Sequence, residues 1–86
     1  MTRSVSILGS TGSIGRQTLE VARACGIAVK ALTANRDTAR LEAQCREFQP
    51  ELAVLMDRAA AADLAVRLAD TETRVAGGME GLIEAA

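Results

Sequence analysis

The sequence of 86 residues contains no histidine, no tryptophan and no tyrosine, and Phe48 is its only aromatic residue. Histidine is the commonest metal ligand and general base in proteins, so the chain lacks the usual residue for either task. A protein that stacks the bases of single-stranded nucleic acid needs several aromatic side chains. The composition therefore argues against a histidine-based catalytic centre and against a stacking surface for nucleic acid.

The chain also lacks an excess of charge of one sign and a long apolar run. Ten lysine and arginine residues stand against eleven aspartate and glutamate residues, which gives a net charge of -1. Nucleic acid and anionic membranes attract an excess of positive charge, so we expect neither as a partner. No apolar run approaches the roughly 18 residues of a membrane span, and the N-terminus has no secretory signal pattern. We expect a cytoplasmic protein.

The two cysteines, Cys25 and Cys45, do not form a recognisable metal or redox motif. Their separation of twenty residues does not fit the C-x-x-C spacing of zinc sites and redox pairs. Each cysteine falls on the apolar stripe of a predicted helix. We therefore expect both thiols to be small, buried core residues.

Segments typical of buried strands alternate with segments that have the period of a helix. Strands are predicted at residues 4–9, 27–34, 52–56 and 74–77. Helices are predicted from the GSTGSIG segment to Cys25, from Thr38 to Gln49, from Asp57 to about Ala69, and from Met79 onward. Such alternation predicts an α/β fold, in which right-handed crossovers build a parallel sheet with flanking helices. The last predicted helix has no cap, and we expect the sequence to be truncated.

The buried faces of the helices can also be predicted from residue spacing. For the first helix the apolar stripe is predicted at Ile14, Thr18, Val21, Ala22 and Cys25. For the third helix it is predicted at Ala61, Leu64, Ala65 and Leu68. Asp37 and Asp57 precede the second and third helices, where their carboxylates can accept hydrogen bonds from free amides. The first strand, with serine, valine and isoleucine, is predicted to be buried on both faces.

The strongest motif is the run Gly9-Ser10-Thr11-Gly12-Ser13-Ile14-Gly15, which joins the first strand directly to the first helix. Gly9 permits a tight turn, Gly12 leaves the backbone open to a pyrophosphate, and Gly15 lets the helix pack close to the strand. Unpaired amides and the helix dipole attract phosphate to such a terminus. The motif lacks the lysine of a P-loop, so ATP hydrolysis is disfavoured. It predicts dinucleotide binding by a Rossmann-like sheet.

A second signal, Asn35-Arg36-Asp37, follows the second strand at the place where an adenosine ribose would lie. The Arg36 guanidinium could form two parallel hydrogen bonds with a 2'-phosphate, which favours NADP over NAD. Alternatively, Arg36 is a solvated loop residue and Asp37 only a helix cap. A carboxylate at Asp37 that pointed inward would repel the phosphate, whereas one that capped the helix would face away from it.

These residues resemble a known family. The segments SVSILGSTGSIGRQTLEVAR, ALTANRD and CREFQPELAVLMD, in this order and spacing, are similar to the N-terminal part of the 1-deoxy-D-xylulose 5-phosphate reductoisomerases. The resemblance implies that Thr11, Gly12, Ser13 and Ile14 hold the pyrophosphate of NADPH. It further implies that the turn from Asn35 to Asp37 holds the 2'-phosphate end. Family members similar to this sequence usually carry asparagine where it has Asp37.

The resemblance also implies the reaction of the parent enzyme. With NADPH and a divalent metal, Mg or Mn, it converts the sugar phosphate 1-deoxy-D-xylulose 5-phosphate to 2-C-methyl-D-erythritol 4-phosphate in non-mevalonate isoprenoid biosynthesis. Residues 1–86 would then be part of the NADPH-binding domain of a bacterial, homodimeric oxidoreductase. The catalytic and C-terminal domains, the metal ligands and the catalytic residues would lie outside this sequence, so we expect no activity from it alone.

Two other functions remain open. A non-catalytic NADP-binding or sensing module would use the same fold, since a fold does not determine chemistry. The cofactor half of a semialdehyde dehydrogenase would use the same glycine spacing after its first strand. The catalytic cysteine of such an enzyme would lie outside the present segment.

Overall fold

The computed structural model describes residues 4–85, apart from the side chains at positions 82, 84 and 85. Strands and helices alternate as the sequence predicts: β1 (Ser4–Ile7), α1 (Ser13–Cys25), β2 (Ala28–Ala34), α2 (Thr38–Phe48), β3 (Leu52–Leu55), α3 (Arg58–Arg67), β4 (Arg74–Gly77) and α4 (Gly78–Ala85). The strand β1 ends two residues before the predicted boundary at Gly9. None of the helices in this described part combines the length and apolarity needed to cross a membrane.

The four strands form one parallel sheet in the order β1-β2-β3-β4. Their register aligns Ile7 with Leu32, Leu32 with Ala53, and Ala53 with Val75. The predicted parallel α/β fold is therefore confirmed. Because all strands run in one direction, the loops that follow them gather at one edge of the sheet, where ligands bind in open α/β sheets.

The main core lies between the sheet and one layer of helices. Leu19 of α1, Leu41 of α2 and Leu64 of α3 belong to the same buried cluster as the apolar row of the sheet. The helix α4 instead packs against β2, β3 and β4, where Val54 and Ala76 form a second cluster with Ala31 and Leu52. Helices thus flank both faces of the sheet, as predicted.

Burial of β1 differs from the prediction. Ile7 is buried and Val5 is half-buried, but Ser4 and Ser6 on the other face are exposed. The reason is the position of α4, which packs on the other three strands and leaves these two serines uncovered. In this chain, β1 is therefore covered on one face only.

The predicted buried face of α1 is wrong by a rotation of the helix. Its buried residues are Gly15, Leu19 and Ala22. Four residues of the predicted stripe are exposed: Ile14, Thr18, Val21 and Cys25. The close approach of Gly15 to the preceding turn sets the rotation of the helix, and apolarity alone could not reveal this contact.

The two cysteines consequently have different environments. Cys25 is exposed, so the prediction that both thiols are buried is wrong for this residue. Cys45 is buried, as predicted, and its burial together with the nearby Glu42 carboxylate raises the pKa of its thiol to about 12. At neutral pH Cys45 is therefore an uncharged core residue.

Both predicted aspartate caps are confirmed. The Asp37 carboxylate accepts a hydrogen bond from the Arg40 amide at 3.2 Å, and the Asp57 carboxylate accepts one from the Ala60 amide at 3.1 Å. Three residues of the predicted α3 stripe, Ala61, Leu64 and Leu68, are buried. Ala65 is exposed, because it lies at the border of the buried stripe, about 100° around the helix from Leu64.

Candidate functional site

The turn between β1 and α1 is built around Gly9. Its φ of +73° lies in the left-handed region, which favours glycine. The Gly12 amide donates to the Gly9 carbonyl at 3.1 Å and closes the turn. The strand therefore reverses directly into α1, as the motif predicts.

Gly15 and Gly12 have different reasons to be glycine. A Cβ atom at Gly15 would lie 2.3 Å from the Gly9 carbonyl oxygen and 2.7 Å from the Ser10 Cα. Backbone atoms cannot yield at such distances, so the fold itself requires glycine at 15. A Cβ at Gly12 would meet only the Gly9 oxygen, at an ordinary 3.5 Å, and the φ of Gly12 is -76°. The fold therefore tolerates a side chain at position 12, and the open backbone there is available to a ligand.

The start of α1 presents free hydrogen-bond donors. The Arg16 amide makes the first helical bond, to the Gly12 carbonyl at 2.9 Å. No residue in the described part of the chain accepts a hydrogen bond from the amides of Ser13, Ile14 or Gly15. The first turn also carries no acidic side chain. Free amides and the positive end of the helix dipole together make this terminus attractive to a phosphate.

An open cleft of about 540 Å³ lies in front of these amides. Its walls come from the end of β1 and the first turns of α1, and include Gly9, Gly12 and Thr18. Leu8 and Ile14 also line it, with 57% and 78% of their surfaces exposed. The volume lies in the range of small-molecule sites. The cleft offers apolar walls beside the free amides at the start of α1.

The second predicted segment follows β2 at the same edge of the sheet. Asn35, Arg36 and Asp37 are all exposed. The loop is held by its backbone, since the Asn35 carbonyl accepts from the Asp57 amide at 2.9 Å and the Arg36 carbonyl accepts from the Thr38 amide at 3.0 Å. The Arg36 guanidinium makes no ion pair or hydrogen bond with any described residue. Its five donors are therefore free for a ligand.

The Asp37 carboxylate is engaged with α2. One oxygen accepts from the Arg40 amide, and the other lies 3.5 Å from the Arg40 Nε. Both contacts draw the carboxylate toward the first turn of the helix and compensate part of its charge. The carboxylate is thus occupied as a cap, which leaves Arg36 as the cation of this loop.

Two residues that the sequence reasoning missed connect these segments. Thr33 accepts two hydrogen bonds from the glycine turn: its Oγ1 from the Gly9 amide at 3.0 Å, and its carbonyl from the Ser10 amide at 2.8 Å. Gln44 of α2 donates from its Nε2 to the Ser10 carbonyl at 2.9 Å. A signal existed for both, since Thr33 interrupts an apolar strand and Gln44 stands in register with Leu41 on the stripe of α2. A polar residue in such a position indicates a buried partner.

A network of ion pairs joins the exposed surfaces of α2 and α3. Arg46 pairs with Glu42 at 3.3 Å and with Asp70 at 3.2 Å, and Arg67 pairs with Glu42 and Asp63, both at 3.1 Å. The hydrogen bond from Arg46 lowers the pKa of the Asp70 carboxyl below its ordinary value of 3.8.

No group of three or more histidine, cysteine, aspartate or glutamate residues within the described residues could hold a metal ion.

The family model of the 1-deoxy-D-xylulose 5-phosphate reductoisomerases matches residues 5–86 of the chain. The chain belongs to this family. It is 52% identical over 82 residues to the reductoisomerase of Acetivibrio thermocellus, an alignment that covers 95% of this chain and 22% of the relative. It is 49% identical over 88 residues to the reductoisomerase of Moorella thermoacetica, covering 100% of this chain and 23% of that relative.

Solved structures of reductoisomerases share the fold. The Zymomonas mobilis enzyme in complex with NADPH superimposes with a TM-score of 0.93 and 36% identity, over 99% of this chain and 23% of that one. A DOX-P reductoisomerase in complex with NADPH, fosmidomycin and magnesium gives a TM-score of 0.88 and 35% identity, over 95% and 21% of the two chains. The chain thus spans between a fifth and a quarter of the length of these reductoisomerases.

Proposed function

We propose that the chain is the NADPH-binding portion of a reductoisomerase that converts 1-deoxy-D-xylulose 5-phosphate to 2-C-methyl-D-erythritol 4-phosphate in isoprenoid biosynthesis. Membership of the family supports this proposal, as does the likeness to a reductoisomerase solved with NADPH. The observation that carries it is the set of free amides at Ser13, Ile14 and Gly15 beside the open backbone of Gly12.

Two segments of the chain bind two different parts of the cofactor. Thr11, Gly12, Ser13 and Ile14 bind the pyrophosphate, because the free amides of the helix start supply the donors that this dianion needs. Asn35 and Arg36 bind the 2'-phosphate at the end of the neighbouring strand, where the guanidinium can form two parallel hydrogen bonds. The Asp37 carboxylate caps α2 and forms the border of this subsite.

Within the parent enzyme, this portion binds and orients the cofactor. NADPH supplies the hydride for the reduction. The ligands of the Mg or Mn ion, the substrate-phosphate site and the catalytic residues belong to other parts of the parent, so residues 1–86 catalyse nothing by themselves. The parent acts as a homodimer in the bacterial cytoplasm. Neither nucleic acid nor a membrane is a partner.

Residues 1–86 form part of a larger domain. The helices α1 to α3 share one face of the sheet, whereas α4 packs on the opposite face. Crossovers between parallel strands are right-handed, so a change of face reverses the direction in which strands are added. A strand that followed α4 would therefore pair with the free edge of β1 and complete the NADPH-binding sheet.

The two other functions are supported less well. The family match favours a reductoisomerase over the cofactor half of a semialdehyde dehydrogenase. A non-catalytic NADP-binding module would need the same cofactor contacts but no further domains. Introducing Arg36→Ala into the complete gene product separates these cases. In an enzyme the variant should lose turnover at low NADPH concentration, whereas a non-catalytic module has no turnover to lose.

The test is a titration of the chain with NADPH and with NADH by calorimetry or ligand-observed NMR. Replacing Arg36 with alanine should weaken NADPH binding by about 1 to 3 kcal/mol, because it removes charge-assisted hydrogen bonds, and should leave NADH binding nearly unchanged. Lys30→Ala is the matched control, since it removes an exposed cation from β2, the strand that precedes the Arg36 loop, at the end away from the site. Equal losses for both nucleotides in Arg36→Ala would refute the phosphate role, and a chain that binds neither nucleotide would refute the proposed function.

A further inference from the structure

The position of the phosphate-binding turn depends on residues that do not line it. Ser10 is fully buried, and its backbone is held on both sides: the Thr33 carbonyl accepts from its amide at 2.8 Å, and the Gln44 side chain donates to its carbonyl at 2.9 Å. Thr33, only 3% exposed, also accepts the Gly9 amide on its Oγ1 at 3.0 Å. A strand and a helix far away in sequence thus hold two consecutive turn residues.

These contacts also affect the position of the free amides at the start of α1. The Gly9 carbonyl and the Ser10 Cα form the surface on which Gly15 packs without room for a methyl group. Because Gly15 packs directly against Gly9 and Ser10, a displacement of either residue would also displace the start of α1. The direction of the amides at Ser13 and Ile14 follows from the placement of Gly9 and Ser10.

Thr33 also links the two halves of the cofactor site. It lies near the end of β2, two residues before Asn35, so one strand end holds the glycine turn and continues into the loop that carries Arg36. A cofactor that contacts both segments needs them at a fixed separation. Order that is present before binding does not have to be created on binding, and affinity rises accordingly.

We propose that Thr33 and Gln44 are positioning residues that hold the Gly9-Ser10 turn and so orient the amides of α1 toward a dinucleotide pyrophosphate. The inference rests on the proposed function for the identity of the ligand. Its structural part, the ordering of the turn, can be measured without any ligand.

The first experiment measures binding by two probes. In Thr33→Val, which keeps the shape of the side chain but removes the acceptor for the Gly9 amide, NADPH binding should weaken about tenfold. The affinity for adenosine 2'-phosphate, which lacks the pyrophosphate, should change less than about twofold, since this probe relies on the Arg36 loop. Thr33→Ser should restore NADPH binding, because the hydroxyl returns. Gln44→Met should likewise weaken NADPH binding more than adenosine 2'-phosphate binding.

Matched controls separate positioning from loss of stability. Thr73→Val removes a half-buried hydroxyl that donates to the Pro50 carbonyl at 2.8 Å, at the opposite end of the sheet, and should lower the unfolding temperature without a change in NADPH affinity. Gln17→Met alters an exposed glutamine of α1 and controls for Gln44→Met. Unchanged NADPH affinity in Thr33→Val, or equal losses for both probes, would overturn the proposal.

The second experiment uses the ligand-free chain. Backbone ¹⁵N order parameters of Thr11, Ser13 and Ile14 should fall in Thr33→Val and remain unchanged in Thr73→Val. If they are unchanged in both variants, the positioning role is wrong, whatever the nucleotide affinities are. If the wild-type chain binds neither NADPH nor adenosine 2'-phosphate, the proposed function fails, while the order parameters still decide whether Thr33 orders the turn.

Discussion

The carboxyl edge of the sheet and the outer surface of α2 and α3 differ in how their polar groups are used. At the edge, the first amides of α1 and the Arg36 guanidinium have no partner among the residues described. On the helical surface, Arg46 and Arg67 each bind two carboxylates, and Arg46 also donates to the Arg67 carbonyl at 2.9 Å. One region keeps strong donors free, and the other pairs them with carboxylates.

This difference separates groups that are available to a ligand from groups that are already paired within the chain. An exposed ion pair adds little stability and binds nothing further, because its donors and acceptors satisfy each other. Free donors at a helix start add nothing to stability either, but they can bind an anion with little rearrangement. The following substitutions should therefore affect either folding or binding, according to the region and to the neighbours of each residue.

The largest effect is expected from Gly15→Ala. The added Cβ would lie 2.3 Å from the Gly9 oxygen, and relief requires movement of the backbone. We expect a loss of about 3 kcal/mol in the free energy of unfolding, measured by chemical denaturation. Gly12→Ala is the control, since its Cβ has room and its stability should remain within about 1 kcal/mol of the wild type. Similar stabilities of Gly15→Ala and the wild-type chain would contradict the described packing.

The next effect concerns binding. Gly12→Ala places a methyl group on the backbone that we assign to the pyrophosphate, so NADPH affinity should fall about tenfold, or about 1.4 kcal/mol. NADH should lose as much, because both nucleotides carry the pyrophosphate. Calorimetric titration measures both losses. If the variant folds normally and binds NADPH with full affinity, the assignment of the pyrophosphate to this turn is wrong.

A smaller effect, of opposite sign, is expected from Asp37→Asn. Asparagine caps a helix about as well as aspartate, so α2 should keep its stability. The substitution removes a negative charge beside the proposed 2'-phosphate subsite, so NADPH affinity should rise about twofold to fivefold, with less change in NADH affinity. Asp63→Asn, which removes an exposed charge from α3, should leave both affinities unchanged. A loss of NADPH affinity in Asp37→Asn would assign the carboxylate a direct contact with the cofactor.

The smallest effect is expected in the ion-pair network. Arg46 lowers the pKa of Asp70 in the folded chain, so this pair stabilises the fold above the ordinary value of 3.8 and loses its contribution as the pH falls through the lowered pKa. The unfolding temperatures of Asp70→Asn and the wild-type chain should therefore differ slightly at neutral pH and converge in acid. High salt should reduce the difference. No change in NADPH affinity is expected.

Local signals in the sequence were sufficient for much of the fold and for the glycine turn. Asp37 and Asp57 could be predicted as caps because a carboxylate before a helical period has one common use. The rotation of α1 could not be predicted in the same way. Val21 and Leu19 fit two overlapping stripes of similar apolarity, and only the contact of Gly15 with the turn decides between them.

The order of strands and helices, the parallel sheet and the glycine turn that leads into α1 were determined by the sequence alone, because periodicity, caps and glycine spacing act over a few neighbouring residues. Tertiary structure alone decided the exposure of Cys25 and of one face of β1, and the use of Thr33 and Gln44 to hold the turn. The contacts of Thr33 and Gln44 join residues that lie 24 and 34 positions apart in the chain. Local pattern carries no information about which such groups will meet.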